Sequence, residues 1–447
     1  MTLLWVTMMT SFPLVLFGYE WYRSGFSLAQ VLTGAVTACI IIVVFQLFSG
    51  FMGAKSGLNY VLLLRKVFGS SGSKIVSLVW CLLFLAWYSL NAVLLTEAIK
   101  GLFGLSLESC WLAVPLAILM AVNNWFGFRG VANFARYLAA PVLILWVAYA
   151  LFKVLIATPV CLTSHSCHQS FSYSLVVIPV LIVGSSMWGN EPDFFRFGKP
   201  SKFKTVLPLV VSVLIGQILF PVTGWLLGRI SNAADIGAFT KFMNAYSFGH
   251  NPWLAAFVLA VSYFALNDGN LYGAINGLED FWKTRRHRLV LALVVAGAAL
   301  AVVLSRYSNA LDVVATFGAV LLPCATIVVI FEYYLAHKVS TGMRPAEFLQ
   351  LLSTKLEPEK TRATAFCWAA VLALFVGWAV AVATSGTIPQ LKSLNNGVWI
   401  LYAWGSSFVV YGIFRTLLSR KRTRKSAEDT TSTFIDTLPS IPESFPH

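Results

Sequence analysis

Charge is what this sequence has least of. Of its 447 residues, 11% are Asp, Glu, Lys or Arg and 58% are hydrophobic, and the mean hydropathy is +0.76. A soluble domain is about a quarter charged, so no sizeable part of this chain reads as water-soluble. Catalytic signatures are missing as well. A membrane-embedded enzyme would need a catalytic constellation, yet there is no HExxH, no GxSxG and no Walker loop, and the lack of a sizeable soluble domain speaks against a sensor. Cysteine is scarce and scattered. Cys39, Cys81, Cys110, Cys324 and Cys367 lie in or beside apolar runs and read as small core residues. Cys161 and Cys167 share a hydrophilic stretch with His165 and His168. That stretch admits a disulfide or a metal clip, but no second pair of ligands accompanies it. No resident metal or cofactor is expected.

What is present is a series of long apolar runs, each near the ~20 residues that cross a bilayer. They fall at 2–22, 29–51, 75–99, 109–127, 134–157, 173–195, 205–228, 252–278, 288–304, 310–335, 364–383 and 396–417, twelve in all. No basic n-region or small-residue cleavage site marks the first run as a signal peptide. The net charge of +14 sits in short clusters between runs, the pattern of a positive-inside membrane protein and not of a nucleic-acid binder. Of the 32 Lys and Arg residues, 25 fall in the even-numbered loops and the tail, which places both termini in the cytoplasm. Tyr19, Trp21 and Tyr22 read as an outer aromatic belt, and residues 346–352 as an amphipathic run along the inner face. The basic stretch 420–425 anchors span 12, and the Ser/Thr/Pro-rich tail beyond it is expected to be disordered.

Two spans contain material that lipid should not tolerate. The second half of span 6 reads Gly184-Ser185-Ser186-Met187-Trp188-Gly189-Asn190-Glu191-Pro192-Asp193. Bare backbone and polar side chains survive at that depth only when packed in protein or lining a cavity. Span 1 carries Ser11-Phe12-Pro13 at mid-segment, and proline removes a helix hydrogen bond there. Interrupted helices five spans apart point to a transporter built from inverted five-helix repeats, with its site where the repeats meet.

Polar residues elsewhere converge on the same reading. Span 8 places Asn267 and Asp268 near its middle, either as a polar knot holding a neighbour or as partners for a polar ligand. Trp87 and Asn91 of span 3 are four apart and share a helix face. Glu191 and Asp268 are protonation candidates, whereas Asp193 and Arg196, three apart, read as a structural ion pair. Phe12, Trp87 and Trp188 supply flat ring faces, and Ser185, Ser186, Asn190, Asn267 and Asp268 supply directional groups. A planar heterocycle suits that set, since its faces stack and its amide-like edge pairs with Asn or Asp. An amino acid or amine, with its carboxylate at helix N-termini, is the alternative.

Several of these segments resemble one family. Asn190-Glu191-Pro192-Asp193-Phe194-Phe195-Arg196-Phe197-Gly198-Lys199 is similar to the segment ending span 6 in nucleobase–cation symporters, above all the bacterial cytosine permeases. Asn267-Asp268 with Leu271-Tyr272 is similar to their span 8 motif, Gly53-Ala54-Lys55-Ser56-Gly57-Leu58 to their loop after span 2, and Trp87 to their stacking tryptophan. The resemblance implies an all-α, twelve-span, leucine-transporter-like fold. Its first repeat would cover 1–157 and its second 173–335, with two additional spans at 364–417 and a tail at 418–447. It also implies import of a nucleobase such as cytosine, or a related heterocycle, across the cytoplasmic membrane by alternating access. Phe12, Trp87, Asn91, Gly184, Ser185, Ser186, Trp188, Asn267 and Asp268 would face the substrate. Met9, Phe12, Ser262, Ala265, Asp268 and Glu191 would surround the coupling cation, H+ or Na+. Two departures stand out: Phe84 replaces a glutamine before the tryptophan, and Ala265 and Leu266 replace two threonines that help bind sodium. Losing those hydroxyls favours a proton or facilitated diffusion over sodium.

Overall fold

In a bilayer a single chain segment can satisfy its own backbone only as a helix. Helices and the turns joining them make up the computed structural model among its described residues, which are 2–157, 168–186, 189–198, 201–307, 309–335, 365–386, 388–395 and 398–435. Among the described residues nine helices are long and apolar enough to cross a membrane: Thr2–Arg23, Leu28–Ser56, Tyr60–Phe103, Gly127–Ile156, Phe171–Phe195, Phe203–Ser231, Pro252–Glu279, Arg286–Leu304 and Ala310–Tyr334. Two shorter apolar helices, Ser109–Trp125 and Trp368–Thr384, and the helix Trp399–Ile435 stand where spans 4, 11 and 12 are expected. Span 3 begins at Tyr60, well before its apolar run. Asn59 caps that start by accepting the Leu62 N–H at 2.9 Å, and Gly69 (φ 85°) kinks the helix farther on.

Both expected interruptions are present. Span 1 is two helices, Thr2–Met9 and Phe12–Arg23, with Ser11 extended between them (φ −158°, ψ 158°). Span 6 is likewise Phe171–Ser186 and Glu191–Phe195, with Gly189 at φ 74°. Pro13 and Pro192 each occupy the second position of the second half, where the missing N–H has no helical partner to lose. Proline therefore starts a new helix here and does not bend an old one.

The packing repeats with the breaks. Both halves of span 1 lie along span 7, and both halves of span 6 lie along span 2, while spans 3 and 8 pack on each other between them. Small residues permit the close approach. A Cβ on Gly18 would stand 1.8 Å from the Pro221 carbonyl oxygen, and one on Gly224 would stand 1.9 Å from that of Val15.

Two expectations are corrected. Tyr19 and Trp21 are buried, so they form no belt: Tyr19 stacks on Phe239 at 4.3 Å and donates to the Ala233 carbonyl, since this end of span 1 lies under the helix Ile236–Phe248. The last helix runs on to Ile435, so the basic stretch and the start of the tail are helical. Arg, Lys, Ala and Glu dominate 420–428, and all favour helix over coil. The amphipathic run 346–352, Cys161, Cys167 and His165 lie outside the described residues.

Gly18→Ala and Gly224→Ala should each destabilise the protein by about 1–3 kcal/mol through overpacking. Gly405→Ala, with nothing within 4 Å of the added carbon, should be neutral or mildly stabilising. Thermal unfolding of detergent-purified variants measures the difference.

Candidate binding site at the helix breaks

A broken helix strands a carbonyl at the end of its first half and an N–H at the start of its second. Here side chains from other spans take most of these groups. The Met9 carbonyl accepts from Gln217 Nε2 of span 7 at 3.2 Å, and the Ser186 carbonyl accepts from Gln46 Nε2 of span 2 at 3.0 Å. The two glutamines occupy corresponding places in the two halves of the fold and perform the same task. Gln217 sits in a π-helical turn, Leu214–Leu219, and Gly216 beside it lets the Met9 carbonyl come close. Both glutamines keep a buried Oε1 with no partner. At the second halves the breaks diverge. The Phe12 N–H donates to Ser262 Oγ at 2.6 Å, whereas Glu191 Oε2 accepts from Ser49 Oγ of span 2 at 2.8 Å. Glu191 is fully buried, and its Oε1 is unpartnered.

Rings and amides make up the rest of the candidate set. Phe12 lies 6.3 Å from Trp146 and 6.2 Å from Tyr263, ring centre to ring centre. With Trp146, Ser262, Thr240 and Asn244 it lines a small cavity of about 10 Å³, room for about one water. Trp87 is buried with its Nε1 unpartnered, and Asn190 is buried with both amide atoms unpartnered. Asn91 Nδ2 donates to Asn267 Oδ1 at 3.0 Å, and Asn270 Nδ2 donates to the same oxygen at 3.1 Å. Asn267 Nδ2 in turn reaches the Tyr88 carbonyl at 2.9 Å. Asp268 accepts from Asn123 Nδ2 at 2.8 Å and from Asn124 Nδ2 at 3.4 Å, both at the end of span 4. Asn267 and Asp268 thus form a knot joining spans 3, 4 and 8 in which their own polar atoms are all engaged, while the Oδ1 atoms of Asn91, Asn124 and Asn270 are left without partners.

Other candidate residues fall into place differently. Gly184 faces span 10, where a Cβ would stand 1.9 Å from the Ala315 carbonyl oxygen, so it lets the two helices pack closely. Ser185 Oγ donates to the Ile182 carbonyl, and Ser186 contributes its own carbonyl to Gln46. Ala265 packs with Ala139 of span 5, and neither Ala265 nor Leu266 brings a side-chain oxygen. Trp188 lies outside the described residues. The expected Asp193–Arg196 ion pair does not form. Asp193 instead accepts the Tyr60 N–H and Asn276 Nδ2, both at 2.7 Å, pinning the second half of span 6 to the start of span 3 and to span 8. Asn59 caps the Leu62 N–H but leaves the Tyr60 N–H at the positive end of the helix, and that end draws the buried carboxylate while Arg196 lies over the Phe197 ring.

A family model described as permease for cytosine/purines, uracil, thiamine and allantoin matches residues 1–402. The chain belongs to that family. The likeness first seen in spans 6 and 8 therefore holds along most of the permease, which is a multi-pass membrane transporter and not an enzyme. Solved structures share its fold. Mhp1, a nucleobase-cation-symport-1 family transporter in a closed conformation with bromovinylhydantoin bound, is similar at a TM-score of 0.71 and 16% identity, over 94% of this chain and 92% of that one. An inward-facing conformation of Mhp1 gives 0.67 and 17%, over 95% and 90%. A Na+-coupled sialic acid symporter gives 0.60 and 13%, over 93% and 89%. The fold is that of leucine-transporter-like proteins, as the paired breaks indicate. No curated protein matches the sequence closely enough to add a relative.

Sequence reasoning passed over Gln46, Ser49, Asn123, Asn124 and Gln217. Each is a polar residue in or beside an apolar run, and that signal alone marks a residue worth placing. Removing the shared acceptor with Asn267→Ala strands two buried amides and should cost about 1–3 kcal/mol for each, seen as a lowered unfolding temperature. Gln46→Leu and Gln217→Leu should each slow transport severalfold, because each frees a carbonyl at a break. Uptake by cells expressing equal amounts of each variant provides the test.

Proposed function

We propose that this permease imports a nucleobase, with cytosine the first candidate and other planar heterocycles next, across the cytoplasmic membrane by alternating access. Both termini lie in the cytoplasm, on the strength of the Lys and Arg distribution. The observation that carries the substrate reading is Asn190. Its amide sits within the span 6 break, 1% exposed, with a donor and an acceptor both unused. A lactam or amidine edge offers the complementary acceptor and donor. Trp87, with a free indole N–H, supplies a ring face together with Trp188 and Phe12, while Asn91, Asn267 and Asp268 brace the wall behind them. The hydantoin in the Mhp1 complex is a planar ring of the same chemical class. Ser185, Ser186 and Gly184 shape the break and leave the reading of the ligand to Asn190.

Transport is coupled to a cation, and that cation is a proton. A sodium ion wants several oxygen ligands. Between spans 1 and 8 the Met9 carbonyl already holds an amide N–H, the Ser262 hydroxyl holds the Phe12 N–H, and Ala265 and Leu266 offer none.

Cells expressing the protein should accumulate labelled cytosine or another base from a panel of cytosine, uracil, hypoxanthine and allantoin. Amino acids should not compete. Trp87→Ala should cut uptake about tenfold or more, given ~1–3 kcal/mol for a base stacked on a ring. Uptake should persist in sodium-free buffer and rise as the external pH falls. Strict sodium dependence would remove the proton assignment, and competition by amino acids alone would remove the nucleobase.

A further inference from the structure

Four carboxylates are buried among the described residues: Glu191, Asp193, Asp268 and Asp280. Three have both oxygens engaged. Asp193 takes the Tyr60 N–H and the Asn276 amide, Asp268 takes two asparagine amides, and Asp280 takes Arg65 and Ser77. Glu191 alone keeps a bare oxygen. We infer that Glu191 is the group that binds and releases the coupling proton, with span 2 gripping its protonated form through Ser49. This inference rests on the transporter reading above and names the site of its cation.

The count of hydrogen-bonding atoms at the break supports it. Among the described residues, Gln46 Oε1, Asn190 Oδ1 and Glu191 Oε1 are buried acceptors without partners, and Asn190 Nδ2 is an unpartnered donor in the same break. Acceptors in excess in a closed space call for another proton, and a carboxyl O–H supplies one. No cation neutralises this carboxylate: among the described residues no ion pair includes Glu191. The titratable groups around it do not substitute for one. On its own helix Asp193 is turned to span 3, and Arg196 lies over the Phe197 ring. From span 3, the Tyr60 hydroxyl bonds Thr326 of span 10, and Lys55 of span 2 sits farther along in that helix's last turn.

The fold also indicates what losing the proton does. Span 2 follows the second half of span 6 with no gap: a Cβ on Gly53 would stand 2.3 Å from the Pro192 Cα, and one on Gly50 would stand 3.3 Å from the Phe195 ring. A bare carboxylate there must draw in water, and water has no room until the two helices part. Protonation closes the span 2–span 6 contact, and release of the proton to water on the other side opens it. Nothing covalent changes; the proton moves from solvent to Oε1 and back to solvent. The first break has no such group, since Phe12 stands where span 6 has Glu191.

The full-length protein in proteoliposomes provides the test. With labelled cytosine, or the base that wild-type protein transports best, an inward proton gradient should drive accumulation and each base should bring protons with it. Glu191→Gln should still exchange labelled for unlabelled base, at a reduced rate, but lose gradient-driven accumulation and its pH dependence. Accumulation by Glu191→Gln with the wild-type pH profile would overturn the inference. Should Glu191→Gln not fold, infrared spectroscopy of substrate-free protein decides. A protonated-carboxyl band that titrates and shifts in Ser49→Ala supports the assignment, and no titrating band, or one that Ser49→Ala leaves in place, refutes it. Failure of wild-type protein to exchange any base would count against the transport reading and leave the infrared result standing.

Discussion

A main-chain carbonyl or N–H cannot be left bare in hydrocarbon, and this requirement organises the molecule. Spans 1 and 6 give up their internal hydrogen bonds at mid-membrane, so something else must take the freed groups. Gln217 does so for the Met9 carbonyl and Gln46 for the Ser186 carbonyl. Each glutamine comes from the helix that packs along the broken span, span 7 for span 1 and span 2 for span 6. Each break is therefore held from the side by a helix of the neighbouring pair.

The two breaks share a plan and differ in chemistry. Both follow it with proline in the second position of the new helix and a glutamine on the last carbonyl of the old one. The first break is closed by a neutral pair, the Phe12 N–H on Ser262. The second carries a carboxyl, a free amide and a left-handed glycine, Gly189, whose extra carbon would collide with Thr326. The proposed substrate and proton chemistry draws on the second break, whereas Thr10, Ser11 and Phe12 at the first bring no ionisable side chain. The amide knot of Asn91, Asn267, Asn270, Asp268, Asn123 and Asn124 joins spans 3, 4 and 8.

Much of the fold was legible in the sequence, because lipid imposes a strict grammar. A run of apolar residues has to be a helix, and Ser11-Phe12-Pro13 and Gly184–Pro192 can interrupt one only for a purpose. The Asn-Glu-Pro-Asp and Asn-Asp segments carried the family likeness. Side-chain partners were less legible. Tyr19 and Trp21 looked like interface anchors but are buried, Tyr19 against Phe239 of the helix Ile236–Phe248, and Asp193 looked like a partner for Arg196 but caps span 3. In both cases the competing partner is more than a hundred residues away in the chain.

The sequence by itself determined a membrane-embedded, all-helical permease with two broken spans five apart, since hydropathy, proline and glycine act locally and leave their mark in order along the chain. Tertiary structure decided which polar group meets which. Gln46 and Gln217 find carbonyls more than a hundred residues away, Asp268 is satisfied while Glu191 is left with one oxygen bare, and Gly184 belongs to packing. Those outcomes depend on which helices lie side by side, and hydrogen bonds reach only about 3 Å, so no local pattern records them.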